Sequence, residues 1–314
     1  MKLLSICIPT YNRSEKLIAT LECLKGQVEN FGNYISIFVS DNNSDIEQKK
    51  NIQEYHLKND FFLLNLNDVN LGIIGNLYTL NRLADSEYIW FLGDDDVLLP
   101  GCIQNIIKVL TEYSVNYLFM NYNSFVDSID NLVSKTKTPF NGYKTIDKHT
   151  ACNLFKSCGT AFMFISASIY RKKYIDILQL NHSRNINLAE PLFFFFSACN
   201  DNIYIEEKSY ILDRLSGISW ASFQKQVSFV DIPECILNLY FLERYSDSSI
   251  SDMLVDYYMK TNSFLFSIYY SSNSLRIRIV RILKSKIVVL SFLSFSFIVR
   301  ILIKKSFKLL MSKR

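Results

Sequence analysis

Glycine is scarce in this chain, which has only nine glycines among 314 residues. Neither of the common glycine-rich phosphate-binding patterns, GxxxxGK and GxGxxG, occurs in the sequence. This absence excludes a backbone cradle for phosphates of the P-loop or dinucleotide-binding kind. The charge of a phosphorylated ligand would have to be offset in another way, and a divalent cation held by carboxylates can do this.

Histidine is also scarce, and the cysteines are not paired. The three histidines are widely separated, and none of the seven cysteines belongs to a CxxC pair. These observations argue against a zinc site and against a disulfide framework. A signal peptide is not expected, because Pro9 and the residues up to Arg13 interrupt the apolar run Leu3–Ile8. The sequence therefore predicts a reducing, cytoplasmic location.

Acidic residues are missing from residues 276–314, which contain eleven Lys/Arg, whereas residues 1–275 hold 23 Lys/Arg against 30 Asp/Glu. Within this basic tail, Ile287–Val299 carries no charge. We expect a helix that lies on an anionic membrane surface, peripheral on the inner face of the cell membrane. A membrane-spanning helix, for which the apolar run is short, and a C-terminal core helix are the alternatives. Nucleic-acid binding is not expected, because the cations flank an apolar run and do not alternate with polar and aromatic residues.

Apolar runs and helical spacings alternate in the first hundred residues. Strands are predicted at Leu3–Ile8 (ended by Pro9), Tyr34–Val39, Phe61–Asn65 and Tyr88–Leu92, and helices at Ser14–Leu24, Ile46–Lys58 and Gly75–Leu83. This alternation favours an α/β fold with a mostly parallel sheet flanked by helices.

The remainder is less regular. The predicted elements are a helix at Ile103–Leu110, a strand at Asn116–Asn121, a loop over Ser124–Asp147, a strand-like segment at Thr160–Tyr170, a helix at Leu188–Cys199, a strand at Ile203–Glu206 and aromatic-rich helices over 228–270. We expect a catalytic domain over residues 1–225, a helical extension over 226–275 and the basic tail over 276–314.

Three consecutive carboxylates, Asp94, Asp95 and Asp96, follow the fourth predicted strand and Gly93. Clustered carboxylates repel one another unless a cation lies among them, and Mg²⁺ and Mn²⁺ prefer such oxygen ligands. The carboxyl edge of a sheet is also where α/β folds bind ligands. The trio therefore favours a divalent metal site, with an acidic helix-capping turn as the alternative.

Polar residues follow the other early strands as well. Thr10–Arg13 follows the first strand, Asp41 follows the second, and Asn70 and Gly72 precede the helix that leads to the fourth. Each group alone is ordinary turn chemistry. Together with the carboxylate trio they indicate a ligand-binding rim, because parallel strands end at the same edge of a sheet.

The order of four motifs, SICIPTYNR, VSDNNSxD, NxGxxxN and FLGDDDVLLPG, resembles family 2 glycosyltransferases with a GT-A fold. The resemblance is strong over about the first 110 residues and weaker to about residue 220. The Gly-Asp-Asp-Asp variant is also similar to a bacterial subgroup that includes abequosyltransferase-like O-antigen enzymes. The resemblance implies a GT-A (Rossmann-like) fold and an inverting, metal-dependent transfer in surface polysaccharide synthesis. The donor would be a nucleotide-sugar, and the acceptor a saccharide linked to polyprenyl diphosphate.

The resemblance also implies roles for individual residues. Asp95 and Asp96 would hold the divalent metal, Mn²⁺ or Mg²⁺. The residues implied in binding the nucleotide-sugar are Pro9, Thr10, Tyr11 (near the base), Arg13, Asp41 (accepting from the base or ribose), Asn70, Gly72 and Asp94. The family usually has Asp-x-Asp-Asp, and Gly93 stands at the first of these positions.

An inverting transfer needs a base that takes the proton of the acceptor hydroxyl. The resemblance implies Glu190, at the start of a predicted helix, although a helix-dipole role for this carboxylate is an equal alternative. Arg214 would reach the phosphates or the acceptor, or else be an ordinary surface arginine.

Two rival functions are left open by the sequence. A sugar nucleotidyltransferase usually has a glycine-rich loop near its first strand, and Pro9–Arg13 contains no glycine. A non-catalytic, membrane-associated binding protein of the same fold is the other rival.

Overall fold

A computed structural model describes residues 2–126, 130–135, 142–146, 148–180, 187–215 and 223–283, together with the pairs 286–287, 290–291 and 294–295. The chain forms two compact units, residues 1–219 and 220–314. The expected three-part division into residues 1–225, 226–275 and 276–314 stays a prediction.

The first unit combines a sheet with flanking helices, as predicted. Its strands are β1 Leu4–Thr10, β2 Ile35–Asp41, β3 Leu63–Leu66, β4 Tyr88–Phe91, β5 Val97–Leu98, β6 Tyr117–Phe125, β7 Leu132–Lys135, β8 Gly142–Ile146, β9 Ser168–Arg171 and β10 Asp201–Arg214. Its helices are α1 Ser14–Val28, α2 Ile46–Lys58, α3 Gly72–Leu83, α4 Cys102–Tyr113, α5 Lys148–Cys158, α6 Lys173–Leu180 and α7 Glu190–Ala198.

The strands lie in the order β3-β2-β1-β4-β9-β6-β10-β5, with β7 on β6 and β8 on β10. The first four strands are parallel to one another. The second half of the sheet is mixed, because β9 runs antiparallel to both β4 and β6. Every residue of β1 is buried, as expected of a strand covered on both faces. Helix α1 buries Leu17, Leu21, Leu24 and Val28, at helical spacing, against this core.

The first strand continues past Pro9, contrary to the prediction that this proline ends it. Pro9 is paired with Ser40 of β2, and Thr10 with Asp41. The ladder with β4 ends at Cys7, so no strand on that side requires the missing N–H of Pro9. The extension carries Thr10 to the end of β1 as an ordered strand residue.

Two predictions for the second half of this unit are wrong, and a third, the strand Ile203–Glu206, is correct but too short. The predicted loop Ser124–Asp147 contains the end of β6 and the strands β7 and β8, which pair with β6 and β10. Most of the predicted strand Thr160–Tyr170 consists of two 3₁₀ turns, Gly159–Met163 and Ile165–Ala167, before β9. The predicted strand Ile203–Glu206 is the first part of β10, whose register shifts between Glu206 and Ile211. This irregularity interrupts the alternation by which a strand is recognised.

The second unit is helical over its described residues. Its elements are α8 Gln224–Gln226, a π-helical segment Val227–Asp231, α9 Ile232–Asn238, a 3₁₀ turn Leu239–Leu242, α10 Asp247–Thr261, α11 Phe264–Tyr270 and α12 Asn273–Leu283. Helix α12 includes the first cations of the basic tail and buries Leu275, Ile279 and Leu283. In addition, Arg278 Nη2 donates to Asn238 Oδ1 of α9 at 2.6 Å.

Most of the uncharged run Ile287–Val299 lies outside the described residues, so its predicted helix is a prediction still. Over the part of the chain that is described, no helix has both the length and the apolar character needed to cross a membrane.

Candidate active site

The carboxyl ends of β1, β2 and β4 meet at one edge of the sheet. Thr10 and Asp41 are register partners, and the N–H of Asn42 donates to the carbonyl of Thr10 at 2.9 Å. On the other side, Thr10 Oγ1 donates to Asp94 Oδ2 at 2.7 Å. The structure therefore brings together the ends of three strands that the sequence placed on a common rim.

Asp95 is the carboxylate of the trio that faces two cations. Arg13 Nη1 lies 3.1 Å from Asp95 Oδ2 and 3.1 Å from Asp94 Oδ1. Lys16 Nζ lies 3.1 Å from the same Asp95 oxygen. The Asp95 side chain is 17% exposed, against 7% for Asp94. Asp95 is thus the more accessible of these two carboxylates, and a mobile lysine and a forked guanidinium neutralise it.

Asp96 has a different hydrogen-bond partner and is nearly buried. The hydroxyl of Ser166 donates to Asp96 Oδ2, and Ser166 Oγ accepts the N–H of Gly93 at 2.8 Å. A Cβ atom added at Gly93 would lie only 2.5 Å from Asp96 Oδ2. A side chain at position 93 would therefore require Asp96 or Ser166 to shift, and Gly93 leaves room for their contact.

Burial dominates the electrostatics of the trio. Burial raises the pKa of Asp96 well above its usual value, and the Ser166 hydrogen bond only partly opposes this. Burial also raises the pKa of Asp94, against the hydrogen bond from Thr10 and the charge of Arg13. The pKa of Asp213 is raised as well, chiefly by burial and partly by the charge of Asp95. Three carboxylates are thus destabilised as anions, and added positive charge would stabilise them.

The backbone of the trio is held firmly. Thr20 Oγ1, on α1, donates to the carbonyl oxygens of Asp94 at 3.1 Å and Asp96 at 3.3 Å. Arg214, at the end of β10, has its Nε 3.4 Å from the carbonyl oxygen of Asp95 and its guanidinium over the ring of Phe125. Arg214 therefore belongs to the candidate active site, where it supports the turn that carries the carboxylates.

Asp41 is fully buried and bound within its own turn. Both of its carboxylate oxygens accept from Ser44, one from the backbone N–H at 3.0 Å and the other from the hydroxyl. The same hydroxyl accepts the N–H of Asn12 at 2.7 Å. Asp41 thus joins the loop after β1 to the loop after β2. Its implied hydrogen bond to a base or ribose stays a prediction.

Asn70 and Gly72 reach the same region through Asn42. Asn42 Nδ2 donates to Asn70 Oδ1 at 2.9 Å and to the carbonyl of Gly72 at 3.2 Å. Gly72 begins α3 with φ +70°, a conformation that favours glycine. Tyr11, in contrast, exposes 45% of its surface beside these loops, whereas Pro9 is buried within β1. An open ring at the rim suits stacking on a nucleobase.

No three His, Cys, Asp or Glu side chains among the described residues form a group that could hold a metal ion by themselves. The donor set nevertheless fits a divalent ion of the Mg²⁺ type, which commonly binds one or two carboxylates and completes its shell with water and substrate phosphates. Asp95 offers an accessible carboxylate, and Asp96 has a pKa that a neighbouring cation would lower.

None of the contacts described for Glu190 involves the Asp94–Asp96 trio. It begins α7 with 0% exposure, and Tyr78 Oη of α3 donates to its Oε1. The ring of Tyr78 packs edge-on against Phe194 of the same helix. These contacts are those of a buried helix-start carboxylate, and the role of Glu190 as the base is a prediction that they do not test.

Four contributing residues were missed by the sequence: Lys16, Thr20, Ser166 and Asp213. Lys16 and Thr20 lie at helical spacing on α1 and therefore share one face of this helix. The sequence could have identified them only if that face had been predicted to pack against the turn after β4. Ser166 lies in a segment predicted to be a strand, and Asp213 beyond the predicted end of another. Ser124 Oγ of β6 donates to Asp213 Oδ2 at 3.1 Å.

Comparison with known proteins adds a family match. The model of the family described as glycosyl transferase family 2 matches residues 5–178, which is more than half of the chain. This span contains β1 to β4, the Asp94–Asp96 turn and Ser166.

Individual relatives are distant. Abequosyltransferase RfbV of Salmonella typhimurium is 26% identical over 193 residues, 58% of this chain and 56% of that protein. GalNAc(5)-diNAcBac-PP-undecaprenol β-1,3-glucosyltransferase of Campylobacter jejuni is 29% identical over 133 residues, 42% of this chain and 41% of that protein. The chain thus spans about half the length of the curated relatives it matches.

A solved structure shows the same fold. The crystal structure of S. aureus TarS 1-349 in complex with UDP-GlcNAc superposes with a TM-score of 0.59 at 17% identity, covering 90% of this chain and 79% of that one.

Proposed function

This chain belongs to glycosyl transferase family 2, and we propose that it transfers a sugar, with inversion, from a nucleotide-sugar to a lipid-linked saccharide in surface polysaccharide or O-antigen synthesis. The observation that carries the proposal is the meeting of the Asp94–Asp96 turn with the loop after β1, through Thr10 and Arg13. The donor class is supported by the TarS complex with UDP-GlcNAc.

Each element of the rim has a part in holding the donor. Tyr11 stacks on the base, and the Asp41 turn lies beside the ribose. Arg13 and Lys16 lie beside the Asp95 carboxylate, where the negatively charged carboxylates are close together. Asp95 and Asp96 are the proposed ligands of Mn²⁺ or Mg²⁺, which when bound would stabilise negative charge on the departing diphosphate.

At the anomeric carbon one bond forms and one breaks, and a proton moves from the acceptor to a base. The acceptor hydroxyl oxygen attacks the anomeric carbon, and the bond from that carbon to the diphosphate oxygen breaks with its electron pair, which releases a nucleoside diphosphate. A carboxylate takes the hydroxyl proton. We assign this step to Glu190, at the family's position, and its burial implies that the acceptor complex must open access to it. Asp213 is the alternative, because it adjoins Arg214 at the rim.

The acceptor is proposed to be linked to polyprenyl diphosphate. The Campylobacter jejuni relative, whose name specifies a PP-undecaprenol-linked saccharide, supports this class. The basic tail would bring the enzyme to the anionic inner face of the cell membrane, where such lipids lie.

Donor turnover tests the proposed function. The protein is incubated with a panel of nucleotide-sugars, Mn²⁺ and a polyprenyl-diphosphate saccharide, and release of nucleoside diphosphate is measured. Turnover should fall at least about 100-fold in Asp95→Ala and in Asp96→Ala. Unchanged turnover in both variants would contradict the metal role. Pyrophosphate release from a sugar phosphate and a nucleoside triphosphate would instead identify a nucleotidyltransferase, and binding without turnover a non-catalytic protein.

Vesicle sedimentation tests the membrane proposal. Because α12 packs within the second unit, the tail should be truncated after Leu283, so that the buried Leu275 and Ile279 stay in place. The full chain should sediment with vesicles containing anionic lipid and not with neutral ones, and the truncated chain should stay in the supernatant. Equal sedimentation of both chains would contradict the docking role.

A further inference from the structure

Two cations share a single carboxylate oxygen at the candidate active site. Lys16 Nζ and Arg13 Nη1 each lie 3.1 Å from Asp95 Oδ2. Arg13 is also bound to Asp94, whereas Asp95 is the carboxylate partner of Lys16 within the described residues. Among the described residues Lys16 makes no second ion pair, so its position at the proposed ligand oxygen depends on this one contact.

We propose that Lys16 is a placeholder cation: it neutralises Asp95 while no divalent ion is bound, and it moves to the donor's diphosphate when the ion takes Asp95. The inference rests on the proposed function, because it requires a nucleotide-sugar and a divalent ion at this site. It assigns to Lys16 a positioning and binding role that the sequence did not indicate.

The two partners differ in mobility. Thr20 holds the carbonyls on both sides of Asp95, and Arg214 lies against the carbonyl of Asp95 itself. The backbone that carries Asp95 is therefore held on both sides, which restricts how far its short side chain can move. The Lys16 side chain is 36% exposed and ends in an ammonium group on a flexible four-carbon stem. When the pair separates, the lysine moves and the carboxylate stays.

Charge supplies the driving force for this exchange. The groups that face one another around Asp95 are four carboxylates and three cations, namely Asp94, Asp95, Asp96 and Asp213 with Arg13, Lys16 and Arg214. A divalent ion at Asp95 would repel the Lys16 ammonium group at short range. The incoming diphosphate attracts it, and the N-terminus of the 15-residue α1 favours the same anion.

The experiment compares Lys16→Met with Lys25→Met in the full chain. Lys25 lies on the same helix, is also half-buried, and donates from Nζ to Asn59 Oδ1 at 2.9 Å. Each variant loses one positive charge and one ammonium hydrogen bond, which goes to the Asp95 carboxylate from Lys16 and to a neutral amide from Lys25. Mn²⁺ affinity without nucleotide is measured by electron paramagnetic resonance of the free ion. Affinity for nucleoside diphosphates at saturating Mn²⁺ is measured by calorimetry.

The two affinities should change in opposite directions. Lys16→Met should bind Mn²⁺ alone about two- to fivefold more tightly, because a competing ion pair is removed. It should bind the nucleoside diphosphate about tenfold more weakly, because a charged hydrogen bond to the ligand is lost. Lys25→Met should match the wild type in both. Lys16→Arg, which keeps a cation, should recover most of the diphosphate affinity and serves if Lys16→Met does not fold.

Two affinities that fall together, or that stay at the wild-type values, would overturn the placeholder role. If this happens while the wild type still turns over a nucleotide-sugar with Mn²⁺, the proposed function stands and only the inference fails. If the wild type binds neither Mn²⁺ nor a nucleoside diphosphate, both are wrong.

Discussion

Replacement of Gly93 by alanine tests the packing at the centre of the site. The new Cβ would lie 2.5 Å from Asp96 Oδ2, below the 3.0 Å under which such contacts essentially do not occur. The carboxylate must therefore retreat by about half an ångström from a position that Ser166 fixes. Overpacking of this kind lowers the free energy of unfolding by about 1–3 kcal/mol. Replacement of glycine by alanine also restricts the unfolded chain, which raises the same free energy by about 0.4–1 kcal/mol. We expect a net loss of about 1–2 kcal/mol in the free energy of unfolding.

Ser166→Ala provides the second arm of a double-mutant cycle. Alone, it removes the hydroxyl that donates to Asp96 and accepts from Gly93, and leaving buried polar groups without this partner costs about 1–3 kcal/mol. In the double variant the Asp96 carboxylate is free to turn away, so the added methyl group should cost less. The two changes should therefore be less than additive, with a coupling of at least about 0.5 kcal/mol.

Urea unfolding followed by the fluorescence of Trp90 measures this cycle. Trp90 is buried in β4, and its Nε1 donates to the carbonyl of Ser166 at 2.8 Å. The other tryptophan, Trp220, is replaced by phenylalanine so that the signal reports on the first unit alone. Gly26→Ala is the control, because nothing lies within 4 Å of its Cβ and alanine should stabilise α1. Additivity within about 0.3 kcal/mol would refute the reasoning, since Asp96 would then not be what excludes a side chain at Gly93.

Three further predictions concern stability, catalysis and donor binding. A carboxyl with a raised pKa binds more protons in the folded state, so the metal-free protein should lose stability as the pH rises above the usual aspartate pKa. Asp96→Asn should flatten this slope in urea titrations that begin at that pKa and continue upward. The same variant should raise the free energy of unfolding at pH 7 by about 0.5–2 kcal/mol and abolish turnover. Glu190→Gln keeps an acceptor for Tyr78 and should lower kcat about 100-fold or more at unchanged donor KM; a loss in Asp213→Asn instead would move the base there. Tyr11→Ala should raise the donor KM about 5- to 100-fold through lost stacking, with kcat nearly unchanged, and an unaltered KM would contradict a place beside the base.

The early part of the fold was predictable because local pattern and long-range structure agree there. Strands β1, β2 and β4 are mostly apolar, and a parallel arrangement brings their carboxyl ends to one edge. The grouping of Thr10, Arg13 and the carboxylate trio follows from that topology. The register of β1 past Pro9 did not follow, because it depends on where the neighbouring strand stops.

The later contributions depend on contacts that no local pattern encodes. Ser166 lies 70 residues from Asp96, in a segment whose β-branched and aromatic residues favour a strand although it forms 3₁₀ turns. The register shift between Glu206 and Ile211 interrupts the strand pattern of β10. The sequence therefore did not indicate that this strand continues to Asp213 and Arg214 at the rim. Lys16 has the appearance of an ordinary solvated helix residue, and only the packing of α1 against the turn after β4 gives it Asp95 as a partner.

Calorimetric titration of a nucleoside diphosphate panel, with and without Mn²⁺, into the wild type and a doubly neutralised Asp95→Asn, Asp96→Asn variant tests the central claim most directly. If these carboxylates hold the cation that offsets the diphosphate, Mn²⁺ should tighten binding of at least one nucleotide to the wild type by about tenfold or more and should have no effect on the variant. An equal effect of Mn²⁺ on both proteins, or none on either, would contradict the claim.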